Sequence, residues 1–339
     1  MRKLAKILNI DKIIKHPNAD TLDILTLGGW NVIAKSGLHR ENDLVIYLEI
    51  DSFVPNTLAP FLTKEGKEPK EYEGVKGEIL KTIKLRGILS QGLVIPVRET
   101  NIPNEFVFPN NDVTEFLGIK KYEKPIPASL AGNIRAHFPS VVPKTDAERI
   151  QNLSTELDFW KKTKLRMYVT EKLDGTSFTC MKLEDDIHVC SRNYSLYESD
   201  KNTYWHIYKK YNLESILNSI PNNIAIQGEI IGHGIQENQY KLHDQQFFVF
   251  SIYDIDSKKY YPYQEIESFC MQHNLNVVPL VDITSLDETT SIESLLEKAD
   301  GISFVGDKKS DREGLVWRGF DNPEINFKTI SNNWLLKHG

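Results

Sequence analysis

The sequence predicts an α+β protein of two domains, a small N-terminal β-barrel followed by a larger domain of antiparallel sheets flanked by helices. Three observations carry that expectation. The 339 residues are long for one ordinary domain and suit two separate cores. The first 125 residues read as short strands joined by turns. Farther along, strand-like runs alternate with segments whose apolar residues recur at helical spacing.

In the N-terminal part, Leu22–Leu27 alternates apolar and polar residues, and Gly28-Gly29 turns it into Trp30–Ala34. Asp43–Ile50 is rich in β-formers, Glu78–Leu85 alternates again, and Gly92–Val97 follows. About five strands with one long insertion suit a Greek-key barrel, OB-like in size. The insertion, Thr63–Gly77, is dominated by Lys, Glu and Gly and is expected to be a mobile surface loop. Lys120–Pro127, marked by Lys and Pro, reads as the linker and gives domains of 1–125 and 126–339. Thr145-Asp146-Ala147-Glu148-Arg149-Ile150 opens with an N-cap and an acidic first turn, the pattern of a helix start. Strands are expected at Leu165–Glu171, Ser177–Leu183, Ile187–Ser191, Ile224–Ile231, Gln246–Tyr253, Gly314–Trp317 and Glu324–Thr329. Helices are expected at Tyr204–Leu217, Ile266–His273 and Ile292–Ala299.

Composition narrows the chemistry. With 40% hydrophobic and 26% charged residues, the chain is a globular protein and not a disordered one. It has no apolar run of the roughly 20 residues that span a bilayer, and no membrane partner is expected. The N-terminus lacks an apolar segment and cleavage site of the secretory kind, so a cytoplasmic location is expected. Three cysteines, Cys180, Cys190 and Cys270, with no C-x-x-C pair, disfavour a disulfide framework and a cysteine-rich zinc site. The net charge of −6 is uneven: residues 1–125 carry +1 and residues 126–339 carry −7. A polybasic coat for nucleic acid is excluded, but a local basic groove is not. An acidic part that handles phosphates calls for metal ions.

The strongest chemical signal is Glu171-Lys172-Leu173-Asp174-Gly175-Thr176, where a lysine leaves a strand and a glycine turns the chain back. A lysine so placed is a covalent nucleophile once its amine is neutral. Taken singly, K-x-D-G is no more than a surface hairpin. Ser191-Arg192-Asn193 follows, and then Gln227-Gly228-Glu229-Ile230, where Glu229 sits in a strand apolar on both sides. A carboxylate there needs a partner or a metal. Phe247-Phe248-Val249-Phe250-Ser251-Ile252 reads as core with one ring edge free to stack a purine. Glu313-Gly314-Leu315-Val316-Trp317-Arg318 puts a second carboxylate at a strand entry, and Asn326-Phe327-Lys328 adds a cation.

The order K-x-D-G, S-R-N, Q-G-E, F-V-F-S-I, E-G-L-V, F-K resembles the covalent nucleotidyltransferase superfamily of ATP-dependent DNA and RNA ligases and mRNA capping enzymes. The resemblance covers nearly all of residues 145–330. Lys144-Thr145-Asp146-Ala147-Glu148-Arg149-Ile150-Gln151-Asn152 resembles an element found upstream of the nucleophile in RNA ligases. Ile83-Lys84-Leu85-Arg86-Gly87-Ile88-Leu89-Ser90-Gln91-Gly92 resembles the I-[KR]-L-R-G-x-x-S-Q-G element of RNA ligases whose OB domain comes first. The whole chain resembles the type 5 RNA ligase family, an N-terminal OB domain with a C-terminal adenylyltransferase domain. His16-Pro17-Asn18-Ala19-Asp20-Thr21-Leu22 also resembles the H-P-N-A-D-x-L of tRNA-binding OB modules; read plainly, Asn18 and Asp20 are turn formers between two strands. Many relatives have K-x-K in the last motif. Here Asn326 holds the first place, so a shared role falls to Lys328.

The resemblance implies an ATP-dependent RNA ligase that seals 3′-OH/5′-phosphate nicks through a lysyl-AMP and an adenylylated 5′ end, in RNA repair. It implies Lys172 as nucleophile and Asp174, Glu229 and Glu313 as carboxylates for Mg²⁺ or Mn²⁺, directly or through waters. Lys328 would contact the α-phosphate, Arg149 the β- and γ-phosphates, Arg192 the ribose, and Glu171 and Phe250 the adenine. Asn193 and Trp317 complete the expected nucleotide pocket. Lys84 and Arg86 are the expected contacts to a nicked duplex carrying RNA on its 3′-OH side, with no obligatory protein partner. A DNA ligase, a GTP-using capping enzyme and, outside catalysis, an RNA-binding protein with a decayed ligase domain are the alternatives. Lys172, Asp174, Glu229, Glu313 and Lys328, all present, argue against decay.

Overall fold

The computed structural model describes residues 2–123, 130, 132–184, 186–307 and 309–338. Residues 124–127 of the expected linker lie outside these. The chain divides into two compact units, Met1–Lys124 with Leu335–Gly339, and Pro125–Trp334.

The first unit is built of short antiparallel strands: β1 (Ala5–Asn9), β2 (Lys12–Lys15), β3 (Leu22–Leu27), β4 (Trp30–Lys35), β5 (Leu44–Leu48), β6 (Ser52–Pro55), β7 (Lys70–Tyr72), β8 (Val75–Ile79), β9 (Thr82–Leu85), β10 (Ile88–Gln91), β11 (Leu93–Pro96) and β12 (Lys120–Lys121). They form four small sheets, ordered β1-β5-β11, β2-β3-β4, β10-β9 and β12-β6-β8-β7. Alternation sets which side chains go inward; Ile7, Ile46, Leu48, Val54, Leu80 and Ile95 share one core.

Two expectations fail here for local reasons. Thr63–Gly77 is not all loop, because β7 and the start of β8 form a hairpin turned at Glu73-Gly74, both with positive φ. Tyr72 on β7 packs on Phe53 and Tyr122, with ring centroids 5.3 and 5.2 Å away, an apolar anchor that a count of charges overlooks. The run Glu78–Leu85 is two strands, since Leu80 turns inward, donating its N–H to Ser52 O and accepting from Asp51 N–H.

The second unit holds β13 (Ile134–His137), β14 (Arg166–Lys172), β15 (Thr176–Leu183), β16 (Asp186–Cys190), β17 (Tyr194–Leu196), β18 (Ile224–Ile231), β19 (Gln246–Asp254), β20 (Lys259–Tyr260), β21 (Asn276–Val277), β22 (Leu280–Ser285), β23 (Gly314–Gly319) and β24 (Asn326–Ile330). Helices α1 (Ser154–Lys162), α2 (Thr203–Lys210), α3 (Leu213–Ser219), α4 (Tyr263–Gln272) and α5 (Ile292–Ala299) flank them, and α6 (Asn332–His338) ends the described chain. One sheet runs β13-β17-β16-β15-β18-β19-β20, with β21 beside β19; the other runs β22-β14-β23-β24. The larger sheet packs with α2, α3 and α4 around Phe178, Ile207, Leu217, Ile226, Phe247 and Ile266. The smaller one closes on α1 and α5 through Leu157, Val169, Leu295, Trp317 and Phe327.

Two helix expectations are also corrected. Residues 145–148 do not start a helix: Lys328 N–H donates to Glu148 O at 2.8 Å and Arg149 bridges in parallel to Lys328, so the segment lies extended along β24. A 3₁₀ turn at Ile150–Asn152 leads into α1 instead. Tyr204–Leu217 is two helices because Asn212 has φ +49°, a left-handed step that Asn tolerates and that ends a helix. Cys180, Cys190 and Cys270 are free and buried.

Phe247 shows how tightly the larger sheet is filled. Its ring meets Phe178 edge-on at 4.9 Å, and a Cβ on Gly228 would lie 2.4 Å from it. Phe247→Ala should destabilise this unit by about 3–5 kcal/mol, and Gly228→Ala should also lower its stability by overpacking. Urea denaturation followed by a probe in residues 130–334 checks both.

Candidate active site

The end of β14 and the entry of β23 meet by register: Lys172 pairs with Gly314 and Glu171 with Leu315. Glu313, one residue before that ladder, therefore stands beside Lys172, whose Nζ donates to its Oε2 at 2.6 Å. The chain then turns through Asp174-Gly175 into β15. A Cβ on Gly175 would sit 2.3 Å from Ile230 O and 2.9 Å from Glu229 Cγ, so only glycine lets this turn lie against β18. Asp174 N–H donates to the buried Tyr240 hydroxyl at 2.6 Å. Across the larger sheet Ser177 pairs with Glu229, the one residue of β18 that is not fully buried. Lys172 thus stands among Glu313, Glu229 and Asp174.

The electrostatics follow. Burial works against the charged Lys172 amine, but Glu313, Glu229 and Asp174 outweigh it and hold the ammonium above lysine's ordinary value. Burial, with Glu313 and Asp174 nearby, pushes the Glu229 carboxyl up to about 8; Lys172 and Arg192 pull the other way. Among the described residues no three His, Cys, Asp or Glu side chains converge closely enough to hold a metal ion directly. Three carboxylates around one lysine do form the oxygen-rich donor set that a hard divalent cation takes through its waters.

The cationic half of the site is organised by a residue to which the sequence reading gave no role. Asp146 accepts from Lys328 Nζ at 2.9 Å and from Arg192 Nη2 at 2.7 Å. Lys144 Nζ donates to Asn193 Oδ1 at 2.9 Å, and Gln227 Nε2 to Pro143 O at 3.1 Å. The K-T-D-A-E-R segment is therefore strapped to S-R-N, Q-G-E and β24 at once. Arg149, buried, lies beside Lys328. An acidic residue set between Lys144 and Arg149 in one short element was the available clue.

Glu171 is 1% exposed, and burial raises its carboxyl. Its Oε2 accepts from Phe304 N–H at 2.9 Å, while Oε1 has no hydrogen-bond partner among the described residues, with Ser303 the nearby hydroxyl. The 300–312 loop that brings Phe304 there was not foreseen; buried Arg312 pins it by donating to Lys298 O, Ala299 O and Asp300 O. Phe250 occupies a β-bulge: Gln227 pairs with Ser251 and Gly228 with Val249, leaving Phe250 unmatched. A bulge re-aims a side chain, and Phe250 stays half-buried with the Arg318 guanidinium 5.6 Å from its ring centre.

Trp317, expected at the nucleotide pocket, is 1% exposed, stacked on Phe327, with Nε1 donating to Thr329 Oγ1. Its ring is part of the core of the smaller sheet. Lys84 and Arg86 lie in the first unit, exposed on the β9–β10 hairpin.

Glu229 yields a signed prediction. The folded carboxyl keeps its proton to about pH 8, whereas the unfolded one loses it near the ordinary glutamate value. Across that window the folded state binds more protons, so stability falls as pH rises. Melting of metal-free wild type should drop more steeply between pH 5 and 8.5 than melting of Glu229→Gln; parallel pH dependences would refute the burial-driven shift.

Comparison with known proteins agrees with this geometry. A family model described as RNA ligase matches residues 165–332, and one described as an OB-fold domain matches residues 4–97. No curated protein matches the chain. The Naegleria gruberi RNA ligase with PPi superposes with a TM-score of 0.90 at 39% identity, over 100% of this chain and 99% of that one. A variant of that ligase with ATP and Mn gives 0.90 at 38% over 99% of each chain, and another with AMP and Mn the same values. No helix among the described residues is long and apolar enough to cross a membrane. A relative 38% identical over nearly its full length, together with the two matched domains, places this chain in the RNA ligase family, with an OB-fold domain ahead of its ligase domain.

Proposed function

We propose that this ligase uses ATP and a divalent cation to seal 3′-OH/5′-phosphate nicks in duplexes with RNA on the 3′-OH side, as an RNA-repair enzyme. The observation that carries the reading is the Lys172 ammonium at the end of β14, 2.6 Å from Glu313 and amid Glu229 and Asp174. In the first step Lys172 gives up its proton to solvent water and its neutral Nζ attacks the α-phosphorus of ATP. The N–P bond forms as the P–O bond to pyrophosphate breaks. Lys328 holds the α-phosphate, Arg149 the β- and γ-phosphates and Arg192 the ribose, once Asp146 yields the two cations it bridges. Phe250 stacks on adenine, and the unpartnered Glu171 Oε1 accepts from it. Asn193, tied to Lys144, keeps Arg192 in place.

Asp174, Glu229 and Glu313 would hold Mg²⁺ or Mn²⁺, directly or through waters. When bound, the cation supplies positive charge that offsets the three carboxylates and the charge building on the phosphates, which favours a neutral amine. The AMP passes from Lys172 to an RNA 5′-phosphate oxygen. A 3′-hydroxyl then attacks the phosphorus of the RNA 5′-phosphate; the new phosphodiester P–O bond forms as the P–O bond to AMP breaks, and AMP leaves. Both ends must be aligned, which is why a duplex substrate favours the last step.

The division near residue 125 belongs to the same proposal: residues 1–125 engage the polynucleotide, through Lys84 and Arg86 among others, and residues 126–339 adenylylate. Three buried free cysteines support a reducing, cytoplasmic site of action.

Lys172→Ala and Lys172→Arg should both abolish labelling by [α-³²P]ATP in denaturing electrophoresis, since arginine stays protonated. Labelling of either variant would overturn the nucleophile. Labelling by GTP in place of ATP would point to a capping enzyme. A nick with RNA on the 3′-OH side should be sealed much faster than an all-DNA nick, through 2′-hydroxyl contacts and A-like shape; equal rates would refute the RNA preference.

A further inference from the structure

Two N-terminal motifs far apart in sequence meet in the first unit. Arg86 and Gly87 form the two-residue turn between β9 and β10, with φ of +44° and +95°. Two positive φ values are what the tight hairpin turn requires, and Asn-Gly is its usual sequence. Arginine pays for its Cβ in that conformation, so something else must hold the turn.

The holding groups come from His16-Pro17-Asn18. Asn18 Nδ2 donates to Arg86 O at 2.9 Å. The His16 Nε2 lies 3.1 Å from Leu85 O, and Asn18 N–H donates to His16 Nδ1 at 3.1 Å. With Nδ1 accepting, the imidazole must carry its proton on Nε2 and donate to Leu85 O. The carbonyls of Arg86 and of Leu85 just before the turn are thus both held by one short segment. His16 is 5% exposed, whereas Asn18 and Arg86 are exposed. A Cβ on Gly87 would sit 3.4 Å from Asn18 Nδ2, so the clamp closes directly on the turn. The Arg86 guanidinium makes no hydrogen bond or ion pair among the described residues.

We propose that His16 and Asn18 are positioning residues that fix the Arg86–Gly87 turn so that the Arg86 guanidinium meets a backbone phosphate of the nicked duplex. The proposal rests on the reading that this unit engages the polynucleotide. It makes the two N-terminal motifs one device: a cation mounted on a turn, and a clamp that sets the turn.

The test uses the full chain and a pre-adenylylated nicked duplex with RNA on its 3′-OH strand, so that lysine adenylylation does not enter. Arg86→Ala, Asn18→Ala and the double variant are compared for sealing rate and for the salt dependence of duplex binding. Each single variant should slow sealing by about three- to tenfold and flatten the log–log salt slope by about one unit. The double variant should match Arg86→Ala, since Asn18 acts only through Arg86. A merely structural loss would lower the active fraction without changing the salt slope, and that result would overturn the proposal. So would multiplicative effects in the double variant, or a wild-type Asn18→Ala beside a slowed Arg86→Ala. If Arg86→Ala itself seals and binds as wild type, the phosphate contact falls and the clamp with it, while the ligase chemistry at Lys172 stands.

Discussion

The hydrogen-bonded ion pair between Lys172 and Glu313 is the constraint around which the ligase domain is arranged. It exists because β14 and β23 pair in one register, Lys172 against Gly314. Gly314 is held to glycine from its other side: a Cβ there would come within 2.2 Å of Thr329 O on β24. A one-residue slip would turn Glu313 to the opposite face and leave a buried ammonium without its partner. The second sheet is brought up to this pair by the Asp174-Gly175 turn, which places Glu229 next to it. The site is thus the seam between two sheets, and each sheet contributes carboxylate from one strand.

The cations sit on the other side of the seam under separate control. Asp146 bridges Lys328 from β24 and Arg192 from the loop after β16, so two sheets share a single carboxylate there as well. A segment with no regular structure does this while its backbone pairs with β24 at Glu148 and Arg149.

Much of this was legible beforehand. The strand read from the two-sided apolar run Ile224–Ile231 agrees with the structure to the residue, because burial on both faces leaves few alternatives. The ordered motifs marked Lys172, Asp174, Glu229, Glu313 and Lys328 as a group, and the structure gathers Lys172 with the three carboxylates and seats Lys328 on Asp146. What failed was context. Thr145-Asp146 carries every local sign of a helix cap, yet pairing with β24 outbids local propensity. Asn212 breaks a helix that periodicity alone would continue, and a Tyr72 anchor orders a stretch whose composition reads as loop. Trp317 sat inside a motif and was read with it, although strand alternation points it toward Phe327 and the core. The Phe250 bulge and the Phe304 loop depend on long-range pairing that no local pattern encodes.

The carboxylates around Lys172 have a consequence for the protein between reactions. A neutral lysine amine in a cell is exposed to aldehydes, reactive acyl groups and other stray electrophiles, and an adduct at Lys172 would block the nucleophile proposed above. Held as an ammonium, Lys172 has no lone pair to offer them. Glu313, hydrogen-bonded to that amine, therefore acts in the resting protein as a chemical safety catch on the atom proposed as nucleophile.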